Sequence, residues 1–89
     1  MKIVINRRFG GFGLSDEALK ALGVAYDYEV SRTNPKLIEM IEKNSDAVSG
    51  SFAKLAVVNI PDNATDWKME DYDGVESIIA VVDGKLVYI

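Results

Sequence analysis

The chain contains no cysteine and no histidine. The first absence removes disulfides and thiolate metal sites and fits a reducing compartment. Together the two remove the commonest general base and the thiol nucleophile. With no other catalytic motif present, the sequence reads as a non-enzymatic binder with neither cofactor nor metal. Long hydrophobic runs are missing as well. No segment approaches the ~20 apolar residues of a membrane span. The opening Met1-Lys2-Ile3-Val4-Ile5-Asn6 is too short an apolar run for a signal peptide. A soluble, cytoplasmic protein with no membrane partner is expected. Arginine is scarce, and Arg7, Arg8 and Arg32 all lie in the first 32 residues.

What is present is a globular composition. Hydrophobic residues make up 48% of the 89 positions, too many for a disordered chain. This length makes one domain, residues 1–89. Such a domain buries roughly 60–65% of its unfolded surface, so its core is small and self-association would help. A homo-oligomer is expected, with the apolar stretches Ile78–Val82 and Leu86–Ile89 as the surface to cover. Fourteen acids against ten bases give a net charge of −4, which disfavours nonspecific nucleic-acid binding. Six of the acids, Asp62, Asp66, Glu70, Asp71, Asp73 and Glu76, crowd one late stretch.

Periodicity predicts an α+β domain of order β-α-β-α-β-β-β-β, with two helices on one face of a mixed sheet. Residues 2–6 read as the first strand. Ser15 caps a helix from Asp16 to Leu22, with Leu14 and Leu19 at hydrophobic-staple positions and Gly23 as its stop. Val24, Tyr26, Tyr28 and Val30 alternate with polar or small residues and predict a half-buried strand. Asn34 and Pro35 open a second helix, whose apolar period runs through Leu37, Ile38, Ile41 and Val48. Ala53–Ile60 reads as a strand covered on both sides, and Asp66–Glu70 as a short strand. Asp73-Gly74 predicts a turn. Asp83-Gly84, between Glu76–Val82 and Lys85–Ile89, predicts a two-residue type I′ hairpin.

The densest chemistry lies between the first strand and the first helix, in Asn6-Arg7-Arg8-Phe9-Gly10-Gly11-Phe12-Gly13-Leu14-Ser15. Gly10, Gly11 and Gly13 let a backbone come close to a ligand. A helix N-terminus favours an anion. Arg7 and Arg8 suit bidentate phosphate binding, and Phe9 or Phe12 suits stacking on a base. Ser15 caps the helix or touches the ligand. Arg32 and Thr33, just before the second helix, are expected to complete the pocket. The spacing matches neither a dinucleotide fingerprint nor a P-loop. The plainer reading is a tight turn whose phenylalanines fill the core.

The acidic stretch offers a second reading. Asp71-Tyr72-Asp73-Gly74 lacks the further ligands of a calcium loop. An acidic surface formed by Asp62, Asp66, Glu70, Asp71 and Asp73 would instead occlude a basic protein such as a nuclease.

Lys2-Ile3-Val4-Ile5-Asn6 followed by Phe9-Gly10-Gly11-Phe12-Gly13-Leu14-Ser15 resembles a family of small phage and prophage proteins. The likeness continues through Arg32-Thr33-Asn34-Pro35, Ser49-Gly50, Phe52-Ala53-Lys54-Leu55, Val58-Asn59-Ile60-Pro61-Asp62, Trp67 and Tyr72-Asp73-Gly74. That family usually carries another residue where Arg8 stands. Its members often end in a basic-aromatic tail, which the Val81–Ile89 hairpin replaces here. The resemblance implies a phage setting, and by analogy a role against host defence. Two routes follow: a sponge for a nucleotide-derived immune signal, or an anti-CRISPR-like inhibitor of a defence nuclease.

Overall fold

The computed structural model describes all residues from Met1 to Ile89. Strand β1 (Lys2–Asn6) leads through the glycine loop to helix α1 (Asp16–Leu22). A 3-10 turn (Asp27–Glu29) precedes helix α2 (Pro35–Val48). Four strands follow: β2 (Leu55–Asn59), β3 (Ala64–Tyr72), β4 (Val75–Val82) and β5 (Lys85–Tyr88). The α+β class holds, with both helices against one face of β1 and β2.

The helix boundaries follow from their caps. Ser15 Oγ accepts the Ala18 N–H, and the Gly23 N–H closes α1 onto the Lys20 carbonyl. Asn34 Oδ1 accepts from the Lys36 and Leu37 N–H groups, with Pro35 at the first helical position. Inside α2, Asn44 leaves helical geometry (φ −160°, ψ 89°). Its side chain accepts the Ala47 N–H and restarts the last turn.

Two expectations need correction. Val24–Val30 is not a strand but a bend and the 3-10 turn, with Tyr26 and Tyr28 exposed and stacked 5.3 Å apart. A strand needs an edge to pair with, and Arg32 already occupies β1 there. The Val4 N–H donates to the Arg32 carbonyl, and the Arg32 guanidinium donates back to the Val4 carbonyl. Without that strand no parallel pairing exists. The sheet is therefore not mixed, and it is not one sheet. β1 pairs antiparallel with β2, and β3-β4-β5 forms a separate antiparallel meander.

The layers are helices, then β1–β2, then meander. β1 separates two cores because its side chains alternate. Val4 faces the helices and joins Leu37, Ile41, Leu55 and others. Ile3 and Ile5 face the meander and join Ile60, Ile78 and Ala80. β2 does the same with Val57 and Val58, so it is covered on both faces as expected. Both meander turns are type I′. Asp73 and Gly74 have φ of 50° and 89°, and Asp83 and Gly84 have 52° and 76°.

Candidate glycine-loop anion site

The loop from Arg7 to Leu14 is held at three points by backbone hydrogen bonds. The Arg7 N–H donates to the Lys54 carbonyl (2.8 Å), the Gly10 N–H to Asp73 (3.3 Å), and the Gly50 N–H to Gly13 (2.9 Å). It therefore lies between the turn before β2 and the β3–β4 turn. The contacts are close enough to need glycine. A Cβ at Gly74 would overlap the Gly11 backbone nitrogen, and one at Gly10 would sit 2.9 Å from Phe52 Cβ. Gly10, Gly11 and Gly74 also have positive φ (115°, 98° and 89°), a region that L side chains rarely adopt.

Asn6 supports this arrangement from below. It is fully buried. Its amide nitrogen donates to the Arg8 and Gly74 carbonyls, both at 2.6 Å, and its amide oxygen accepts the Lys54 N–H at 2.9 Å. Its backbone N–H donates to Glu76 Oε1 at 2.7 Å. Asn6 is thus a structural brace beneath the loop, not a ligand-facing group.

Arg32 and Phe12 are committed in the same way. The Arg32 guanidinium grips both oxygens of the buried Glu76 carboxylate, at 2.6 and 2.9 Å. It lies 3.6 Å above the Phe12 ring. Its charge is neutralised and one face of Phe12 is covered. Arg32 is therefore not free for the phosphate role that the sequence suggested, and Phe12 has only its other face left for stacking. Ser15 is spent on capping α1 and on the Ala47 carbonyl. Thr33 turns back onto Ser31, with their hydroxyls 2.9 Å apart. Helix α1 adds no anion pull of its own, because Asp16 and Glu17 fill its first turn.

What remains available is specific. The backbone N–H groups of Gly11, Phe12 and Gly13 have no partner within the protein. The three residues border a hollow of about 250 Å³ between the loop from Gly10 to Leu14 and the turn from Gly50 to Ala53, and the Gly11 nitrogen also lies against Gly74. Arg7 and Arg8 are exposed, and neither pairs with a carboxylate. Phe9 and Phe52 are exposed at 65% and 72%. Successive free N–H groups in a glycine-rich turn, with exposed cations next to them in the chain, are the chemistry of a backbone anion nest. Phe52 and Ser51 were not among the site residues expected from the sequence. The signal for them lay in the repeated Gly-x-Phe pairing, since only the fold brings Phe52 beside Gly10.

The largest hollow lies elsewhere, between α2 and β2, at about 440 Å³. Its Lys2 and Glu42 pair with each other at 2.8 Å, which leaves Lys54 as its one unpaired charge. No helix of the chain is long and apolar enough to cross a membrane. No family model, no curated protein and no solved structure matches this chain.

Proposed function

We propose that the protein binds and sequesters a phosphate-bearing small molecule at the glycine loop. The observation that carries this is the run of three unpaired N–H groups at Gly11, Phe12 and Gly13 beside the unpaired Arg7 and Arg8. The N–H groups hold phosphate oxygens, and the two guanidiniums neutralise them. Phe52 lines the hollow, is exposed, and suits the flat face of a base, with the exposed Phe9 next to Gly10 in the chain. The ligand class is therefore nucleotide-like. Sequestration accounts for the site better than turnover, because no histidine or cysteine exists to act as base or nucleophile. The phage setting implied by the resemblance gives such a sponge a purpose: removal of a nucleotide immune signal in the cytoplasm of an infected cell. Copies of the chain would meet through the C-terminal hairpin, where Leu86 and Tyr88 are 72% and 73% exposed.

Native mass spectrometry tests the reading. Protein purified from bacteria with an active nucleotide-signalling defence should carry an added mass of nucleotide size. The Arg7→Ala, Arg8→Ala double variant should come out bare. Equal, ligand-free masses for both proteins from such cells would overturn the proposal.

A further inference from the structure

We infer that the open edge of β3 takes an extended, basic segment of a partner protein as an additional strand. This rests on the edge and charges of β3, not on the free N–H groups of the glycine loop. β3 is an edge strand, the longest of the fold, and pairs only with β4. Tyr72 and Val75 flank the two-residue turn, so they exchange hydrogen bonds. Antiparallel alternation then directs the N–H and C=O groups of Trp67, Met69 and Asp71 away from β4. The Trp67 N–H agrees with this phase, because it donates to Asp66 Oδ1 rather than across the sheet. A row of outward N–H and C=O groups is a template for another strand.

Charge chooses the occupant. Asp66, Glu70, Asp71 and Asp73 are exposed and pair with no cation, and Lys68 is the lone base among them. A second copy would bring the same acidic excess against itself. A basic strand would relieve it. The register adds detail. Asp66 and Glu70 lie opposite Val81 and Ser77, whereas Trp67 and Met69 lie opposite Ala80 and Ile78, so the pairs occupy opposite faces. The fitting segment therefore alternates basic residues with apolar ones. Bulge geometry between Ala64 and Asp66 ends the usable edge on one side, and the Asp73-Gly74 turn ends it on the other.

The test uses a fluorescein-labelled decapeptide alternating lysine and valine, followed by anisotropy at low salt and by amide exchange. Binding should slow exchange at Met69 and Asp71. The same peptide N-methylated at alternate residues keeps its charge but cannot complete the ladder, and it should not bind. The Asp66→Asn, Glu70→Gln variant should bind roughly tenfold more weakly through loss of two exposed charge contacts. Equal binding of the N-methylated peptide would overturn the proposal, because the attraction would then be charge alone. So would protection at Leu86 and Tyr88 instead, or Met69 protection that depends only on the protein's own concentration.

Discussion

On its helix-facing side β1 buries Val4 in a cluster of ten apolar residues, whereas on its meander-facing side Ile3 and Ile5 share a cluster of five. The helix side is closed by apolar packing and capped helix ends. The meander side has less apolar surface and adds a polar latch instead. Glu76 on β4 receives both Arg32 nitrogens and the Asn6 N–H, while Asn6 holds the Gly74 carbonyl. The difference shows how a short chain fixes a sheet that it can only half bury. Hydrogen-bonded charge sets the docking angle where methyl groups are too few. That latch lies directly under the glycine loop, so the meander's position and the loop's shape are one property.

Breaking the latch should have the largest effect. Glu76→Ala leaves both the part-buried Arg32 guanidinium and the buried Asn6 N–H without an acceptor, and stranding the two together costs about 3–5 kcal/mol. Amide exchange should quicken in the meander and the loop while α2 keeps its protection. Uniform quickening would mean that the two sides form a single unit. On the helix side, Leu37→Ala removes a fully buried side chain and should cost about 2–5 kcal/mol in urea unfolding. Its effect should be global, with no special response at Gly10–Gly13. A loop-specific response would blur the distinction between the sides.

Gly74→Ala strikes the seam between meander and loop. Left-handed geometry alone costs roughly 1–2 kcal/mol, and the added Cβ would push the Gly11 backbone aside. Amide shifts at Gly10–Gly13 should exceed those anywhere in α2. Confinement of the shifts to the β3–β4 turn would contradict the contact.

The smallest effect concerns surface charge on the helix side. Lys43 donates a hydrogen bond to Glu39, and with its charge holds that carboxyl below the ordinary value. A depressed folded-state pKa stabilises above the unfolded value, and this is lost as pH falls through the folded one. Lys43→Ala should return Glu39 to an ordinary carboxylate titration by NMR and leave melting at neutral pH almost unmoved. A marked drop in melting temperature would show that surface charge carries part of the helix side.

Much of the fold was legible because local signals agreed. Ser15, Gly23, Asn34 and Pro35 mark helix ends by hydrogen-bonding chemistry that needs no distant partner. Asp83-Gly84 fixes its hairpin in the same way. Val24–Val30 misled because alternation states which side chains share a face, not whether an edge is free to pair. The loop's glycines, arginines and phenylalanines were visible as a candidate site. Which of them stay available was not, since Arg32 meets Glu76 and Gly10 meets Phe52 only across the fold. Arg32 looked like a third phosphate ligand because its partner lies 44 residues away.

The account turns on whether Gly11, Phe12 and Gly13 receive phosphate, and amide NMR of the labelled protein titrated with adenosine triphosphate reads those groups directly. Their three amide signals should move downfield together, ahead of any in α2 or β5. In the Arg7→Ala, Arg8→Ala variant the fold should persist, and affinity should fall on the order of a hundredfold or more, from two charge-assisted contacts of roughly 1.5–3 kcal/mol each. Still amides at Gly11–Gly13, or an affinity indifferent to both arginines, would contradict it.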